Sequence, residues 1–200
     1  LVTDRRQTGG RPLLEVLDEA LAAGVTAVQL REKDLPTRSL LDLAQRVRAL
    51  THQYQASFLV NDRIDIALAV DADGVHLSAN SFAVADARRV LGTDRLIGVS
   101  THSLAEAEQA SVQGADFVVF GPVYETPSKR EFGQPLGLAA LQECTHVLSI
   151  PVFGIGGVTS SRAQDVRRVG GYGVAVISGI LSAQFVEAST RAFVRALAGP

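Results

Sequence analysis

The feature that most constrains this chain is a regular alternation between short apolar runs and longer segments with helical periodicity. Eight apolar runs, the first of them truncated, lie at 1–2, 27–30, 58–60, 74–76, 96–99, 117–120, 152–155 and 173–177. Eight helical segments follow them, at 13–23, 37–53, 64–69, 83–91, 104–113, 138–146, 160–169 and 183–197. The runs are apolar at nearly every position, which is typical of parallel strands covered by helices. The pattern predicts eight consecutive βα units.

Residues at the ends of the helical segments support these boundaries. A left-handed residue is favoured directly after a helix, and glycine adopts that conformation most readily. Glycine occupies this position after four of the segments, at Gly24, Gly92, Gly114 and Gly170. At the start of a helix a hydroxyl side chain can cap free amides, and we expect Thr37 and Ser103 to be N-caps.

Eight βα units in 200 residues predict the α/β class and, within it, a (β/α)₈ TIM barrel formed by a single domain, residues 1–200. This length is at the low end of the range usual for such barrels, so we expect short connections. An open, doubly wound sheet is the alternative, because alternation of strands and helices does not show whether the sheet closes.

Composition excludes several classes of function. The net charge is −2 and the isoelectric point is about 6.1, so no basic field is available for nucleic acid or an anionic membrane surface. No stretch reaches 18 consecutive apolar residues, and the first residues lack the pattern of an export signal. A single cysteine, Cys144, excludes an internal disulfide and suits a reducing compartment. We expect a cytoplasmic protein without nucleic acid or membrane partners; the sequence leaves open whether it forms a homo-oligomer.

Polar residues collect at the ends of the predicted strands, where a parallel barrel binds its substrate. The segment 29–33 contributes the amide of Gln29 and the cations Arg31 and Lys33, which suit an anion but also fit a surface charge cluster. After 58–60, Asn61 and Asp62 offer oxygen ligands suited to Mg²⁺, although Asn-Asp is equally common as a turn or helix cap. These strand ends predict an anion site beside a candidate metal ligand.

The next two strand ends add a candidate for proton transfer and a long loop. Ser100 and His102 follow the run 96–99. Imidazole is the side chain best suited to move protons near neutral pH, although a lone histidine is more often structural. The connection 121–135 is long, polar and supplied with hydroxyls and cations, which suits a phosphate or diphosphate and indicates a lid.

The most specific signal is a pair of turns after the last two strands. Gly157 lies in the first turn, and Ile177 and Ser178 open the second. Loops at these two positions are the recurrent phosphate site of (β/α)₈ barrels, because their amide groups and helix N-termini can converge on one anion. The alternative is that the glycines serve only as turns. The pattern favours a phosphorylated small molecule as the substrate.

Eight segments, in order along nearly the whole chain, resemble the thiamine-phosphate synthase and thiazole tautomerase family. They read LVTD at 1–4, VQLREK at 28–33, VNDRIDIAL at 60–68, ADGVHL at 72–77, IGVSTHS at 97–103, FGPVYETPSK at 120–129, IPVFGIGGV at 150–158 and GVAVISGI at 173–180. The resemblance implies a (β/α)₈ barrel, which agrees with the fold expected from the residues alone.

For the synthases, the resemblance implies that hydroxymethylpyrimidine diphosphate loses its diphosphate, and that the nitrogen of a thiazole phosphate takes the resulting carbocation-like carbon. The product is thiamine phosphate. The resemblance assigns Mg²⁺ to Asp62 and places Ser100 beside the reacting pyrimidine, with Lys129 as a catalytic cation. It gives the diphosphate to Gln29, Arg31, Lys33, Asn61 and Lys129, completes the anion loop with Thr126 and Ser128, and gives the thiazole phosphate to Gly157, Ile177 and Ser178.

One position departs from the synthase pattern. Synthases usually carry a second magnesium carboxylate after the run 74–76, where this sequence has Ser81. This change resembles the tautomerase branch, in which a thiazole carboxylate phosphate isomerises without metal and His102 carries the proton. Lys33 and Asp62 are nevertheless present, and a tautomerase has little use for them. Mg²⁺ often binds one or two carboxylates completed by phosphate and water, so we expect the synthase with Mg²⁺ as its cofactor.

Two further alternatives belong to other classes. A non-catalytic member of the family would keep the phosphate turns and lack the chemistry, as the changed segment around Ser81 allows. Another phosphate-binding barrel enzyme, acting on a sugar or indole precursor, would share the last two turns. The REK, NDR and STHS segments argue against the second of these.

Overall fold

The computed structural model describes residues 1–78, 80–126 and 134–198. Within them, seven parallel strands pair in chain order: β1 (Ala27–Leu30), β2 (Ser57–Asn61), β3 (Gly74–Leu77), β4 (Leu96–Thr101), β5 (Phe117–Phe120), β6 (Val152–Ile155) and β7 (Gly173–Ala175). The helices are α1 (Leu13–Ala22), α2 (Thr37–Gln53), α3 (Ile64–Ala69), α4 (Val84–Leu91), α5 (Leu104–Val112), α6 (Gly137–Val147), α7 (Ser160–Arg168), α8 (Ser178–Leu181) and α9 (Val186–Ala198). A 3₁₀ turn spans Arg5–Gln7.

The segment 1–3 takes the eighth place in the sheet and closes it. Val2 forms a parallel bridge with Gln29 of β1, and the Thr3 amide donates to the Gln29 carbonyl at 2.9 Å. On its other side, the Val2 amide donates to the carbonyl of Val176, directly after β7, at 2.9 Å. This confirms the predicted (β/α)₈ barrel, and the open doubly wound sheet is wrong.

The inner face of the barrel combines glycines with aromatic rings. Gly154 of β6 faces outward, because a Cβ there would lie 3.1 Å from Val166 of α7, so its neighbour Phe153 faces inward. Phe153 packs edge to face against Phe117, with 5.5 Å between ring centroids. A Cβ on Gly98 would lie 2.1 Å from the Phe117 ring, so only glycine at this position leaves space for it. The aromatic layer fills the barrel below the ends of the strands.

Helices cover the outer face because each presents one apolar stripe. In α1 the buried residues recur at helical spacing, at Leu13, Val16, Leu17, Ala20 and Leu21. Burying each of the leucine and valine side chains among them contributes about 1.5–3 kcal/mol, as an upper estimate. Among the described ranges, no helix has the length and apolar character needed to cross a membrane.

The helix boundaries follow the sequence signals with two differences. All four glycines expected after helices have positive φ, and Ser103 caps α5 by accepting from the Glu106 amide. Thr37 is not an N-cap: Pro36 occupies that position, and the Thr37 hydroxyl accepts from Arg63 instead. The last predicted helix, 183–197, starts three residues late, because the short helix α8 first follows β7 directly.

Candidate active site

A row of hydrogen-bonded polar side chains crosses the carboxyl ends of β1 and β2. Gln29 pairs in register with Leu59 of β2. Asn61 is two residues further along β2, so it lies on the same face as Gln29 and nearer the carboxyl ends of the strands. The Gln29 side-chain amide donates to Asn61 Oδ1 at 2.9 Å, and Asn61 Nδ2 donates to Asp62 Oδ2 at 2.7 Å. Three of the predicted site residues are therefore joined in one chain of contacts.

Asp62 is the charged end of this row. Its backbone is left-handed, at φ 59°, and its amide donates to the carbonyl of His76 in β3 at 2.9 Å. The amide and hydroxyl of Ser78 donate to its carboxylate at 2.8–3.0 Å. Burial raises the Asp62 pKa, but hydrogen bonds from Ser78 and Ser81 and the charge of Lys33 outweigh it, so the net pKa is lowered. The carboxylate is held in its ionised form.

The three charged residues after β1 point to different partners. Glu32 is buried and accepts from the Arg5 amide at 3.1 Å and from the Arg5 guanidinium at 3.0 Å. The charge of this carboxylate is therefore balanced by Arg5 within the protein. Lys33 is exposed and acts electrostatically on Asp62, while Arg31 is half-buried and fixed through its amide to the Thr3 hydroxyl at 2.9 Å. Lys33 is thus the cation after β1 whose charge acts on the Asp62 end of the row.

Ser100 and His76 form a second pair, across β3 and β4. The Ser100 hydroxyl lies 2.8 Å from His76 Nε2. His76 is 3% exposed, and burial lowers its pKa to about 4. No role was predicted for His76 from the sequence. A signal for it exists in hindsight: it is a polar residue in an apolar strand, with Gly98 opposite it in register.

His102 lies just beyond β4 and is exposed. Its amide donates to the Glu106 carboxylate at 2.7 Å. Its ring Nδ1 lies 2.5 Å from the Gly121 carbonyl oxygen, and since a carbonyl only accepts, Nδ1 carries the proton in this contact. His102 is therefore held against the start of the loop 121–135.

The loop after β5 is fastened to the turn after β6. The Val123 amide donates to the Ile155 carbonyl at 2.8 Å, and the Tyr124 amide to the Gly156 carbonyl at 3.0 Å. Gly157 has φ 63°, and a Cβ on it would lie 2.4 Å from the Glu125 carbonyl oxygen. The two backbones approach so closely that only glycine fits.

Arg162 in the first turn of α7 reinforces this contact, and sequence reasoning missed it. Its guanidinium donates to the Gly157 carbonyl at 3.0 Å and lies 4.6 Å from the centre of the Tyr124 ring. A cation over an aromatic face contributes about 0.5–1 kcal/mol at exposed sites. Arg162 therefore joins the predicted phosphate turn to the predicted anion loop.

The turns after β6 and β7 are neighbours. Ser178 is exposed and is the first residue of α8, and Ile177 before it is half-buried. A Cβ on Gly179 would lie 3.7 Å from the Val158 carbonyl, so the second turn contacts the residue after Gly157. Thr126 is half-buried in the anion loop, while Ser128 and Lys129 lie outside the described residues. The roles of all these residues in binding stay predictions.

The candidate metal ligand has few charged companions. In the described parts of the chain, no group of three histidine, cysteine or acidic side chains is arranged to hold a metal ion. Asp62 is joined instead by the hydroxyls of Ser78 and Ser81. One carboxylate with hydroxyl neighbours fits Mg²⁺ when phosphate oxygens and water complete the shell, because Mg²⁺ accepts one or two protein carboxylates.

The closed barrel and its polar rim define the class: a (β/α)₈ barrel whose candidate site lies, as in barrel enzymes, at the carboxyl ends of the strands. Comparison with known proteins narrows this class. The family model for thiamine monophosphate synthase matches residues 1–180. The chain belongs to this family, as the resemblance of its motifs predicted.

Individual relatives are similar to this protein over nearly the whole chain. A putative thiamine-phosphate synthase of Geobacter sulfurreducens is 52% identical over 182 residues, which are 91% of this chain and 85% of that protein. A thiamine-phosphate synthase of Roseiflexus castenholzii is 43% identical over 192 residues, 96% of this chain and 84% of that protein. The solved thiamine phosphate pyrophosphorylase of Pyrococcus furiosus superposes with a TM-score of 0.90 at 37% identity, and covers 98% of this chain and 93% of its own.

Proposed function

We propose that this protein is a thiamine-phosphate synthase, a transferase that joins hydroxymethylpyrimidine diphosphate to a thiazole phosphate and releases diphosphate. The observation that carries the proposal is its 43–52% identity to synthases over at least nine-tenths of the chain. The hydrogen-bonded row from Gln29 to Asp62 supports it independently, because it presents amides, a carboxylate and nearby cations at the edge where barrels bind substrates.

The diphosphate is the leaving group, and its growing negative charge is what the site must stabilise. We assign this task to Lys33 and Arg31 at the end of β1, to the amides of Gln29 and Asn61, and to Lys129. The contact between Gln29 and Asn61 orients both amides before substrate arrives, which lowers the reorganisation needed during reaction. Mg²⁺ would be held by Asp62 and would supply further positive charge to the diphosphate.

The thiazole phosphate belongs to the opposite part of the rim in this proposal. Gly157, Ile177 and Ser178 would bind it through backbone groups and a hydroxyl, and Thr126 and Ser128 would complete the anion loop. The contact of Gly179 with Val158 supports a shared pocket for one phosphate. Ser100 would lie beside the pyrimidine, between the two anion sites.

The test is an assay of the purified protein with both precursors. We expect thiamine phosphate and diphosphate to form in equal amounts when Mg²⁺ is present. Asp62→Asn should lose most of the Mg²⁺-dependent rate, whereas Asp65→Asn, at an exposed position of the adjacent helix α3 and paired with Arg63, should keep it. Metal-independent isomerisation of a thiazole carboxylate phosphate, lost in His102→Gln, would replace the proposal by the tautomerase. Binding without turnover would indicate a non-catalytic member.

A further inference from the structure

We infer that His76 is a positioning residue that fixes the hydroxyl of Ser100 toward the bound pyrimidine. The inference rests on the proposed function, and it adds a buried residue whose side chain contacts Ser100. Its effect on the reaction is exerted through Ser100.

The first support is the contact itself. His76 Nε2 lies 2.8 Å from Ser100 Oγ, and the two residues belong to neighbouring strands, so the backbone sets their distance. Ser100 is half-buried at the upper end of β4, whereas His76 is 3% exposed. The imidazole is therefore the more buried of the two groups, and part of Ser100 is accessible to solvent.

The second support is the packing around the ring. His76 and Phe117 lie with ring centroids 6.0 Å apart, and a Cβ on Gly98 would lie 2.8 Å from His76 Nδ1. Glycine at this position makes room for the imidazole while the surrounding strands restrict its movement. A restrained ring is suited to orient a hydroxyl, which otherwise rotates freely about its C–O bond.

The third support is the hydrogen-bonding capacity of the two groups. The contact joins His76 Nε2 to a hydroxyl, which can donate one hydrogen bond and accept two. A neutral imidazole has one donor and one acceptor nitrogen. Whichever of these faces Ser100, one hydrogen-bonding function of the hydroxyl is occupied and the other is directed away from the ring.

The backbone of His76 also contacts the metal end of the site, which determines how the test must be designed. Its carbonyl accepts from the Asp62 amide at 2.9 Å. Substitution of the side chain leaves this contact in place. Effects of such a substitution on Asp62 and on Ser100 can therefore be separated.

The experiment is a double-mutant cycle of His76→Leu and Ser100→Ala, with turnover and KM measured for both precursors. We expect His76→Leu to lower kcat by about 10- to 100-fold and to leave the KM for thiazole phosphate within about twofold. In the Ser100→Ala background the same change should lower kcat less than about threefold, because the group it positions is gone. His76→Gln, whose amide can reach the same hydroxyl, should restore part of the rate.

Phe153→Leu is the matched control, since Phe153 packs against Phe117 in the same layer and its substitution does not remove the hydrogen bond. It should lower the melting temperature and keep kcat near that of the unmodified protein. If His76→Leu does not fold, His76→Asn replaces it, because its shorter side chain withdraws the amide from Ser100. Equal losses of kcat in both backgrounds, or no rescue by glutamine, would overturn the role of His76 in an otherwise active synthase. Absence of thiamine phosphate from the unmodified protein would instead contradict the proposed function.

Discussion

Replacing Gly157 by alanine tests whether the turn after β6 binds the thiazole phosphate. At φ 63° an alanine in place of glycine destabilises the fold by about 1–2 kcal/mol, and its Cβ would lie 2.4 Å from the Glu125 carbonyl oxygen. An ordinary contact is about 3.4 Å, so the turn and the loop must separate by about 1 Å. A displacement of this size changes catalytic rates by about 100-fold. We expect kcat/KM for thiazole phosphate to fall by about 10- to 100-fold.

Gly9→Ala is the control for backbone strain, because Gly9 has φ 64° and no atom within 4 Å of its added Cβ. Gly9→Ala should lower the melting temperature by about 2–8 °C, since 1 kcal/mol corresponds to about 2–4 °C in a domain of this size. Gly157→Ala should lower it by at least as much, because the clash with Glu125 adds to the same backbone strain. Only Gly157→Ala should lose affinity for the thiazole phosphate, measured by calorimetric titration. If both variants bind it equally well, the turn does not contact the phosphate and our assignment is wrong.

Three further predictions concern the charged groups. Lys33→Ala should raise the KM for the diphosphate substrate by about tenfold and leave the KM for thiazole phosphate nearly unchanged; equal changes would refute the division of the cavity. Ser81→Asp, which adds a carboxylate beside Asp62, should lower by about tenfold the Mg²⁺ concentration needed for half-maximal rate, and an unchanged requirement would show that position 81 lies outside the metal site. His76 has a pKa of about 4 in the folded protein, compared with the reference value of 6.5, so between these pH values the unfolded chain binds a proton that the folded protein does not. The free energy of unfolding should therefore fall by about 3 kcal/mol as the pH is lowered from 6.5 towards 4, which urea unfolding can measure. His76→Gln should lack this decline.

The barrel could be predicted from sequence because its signals are local. Apolar runs mark the strands, and positive-φ glycines such as Gly24 and Gly170 end helices for reasons that involve only neighbouring residues. The Thr37 prediction failed for an equally local reason, since Pro36 takes the capping position. The place of the segment 1–3 depends instead on a carbonyl of residue 176, which only the closed sheet brings near.

The candidate site was predictable where residues act from the end of their own strand, as Gln29, Asn61 and Asp62 do. Contacts between strands were not predictable, because they depend on register and on which face each side chain occupies. His76 and Ser100 are 24 residues apart in the chain. His76 stands out as a polar residue in an apolar strand, but only the register of β3 against β4 brings it to Ser100. Arg162 was missed for the same reason: its role comes from Gly157 and Tyr124 on two other connections.

The glycine at position 98 limits which substitutions the interior of this barrel can accept. A methyl group there would collide both with the Phe117 ring and with the His76 imidazole. A larger residue at position 98 would therefore require compensating changes at both position 117 and position 76. Substitutions that adapt the protein to a new substrate are therefore accommodated more readily in the loops above the barrel than at position 98.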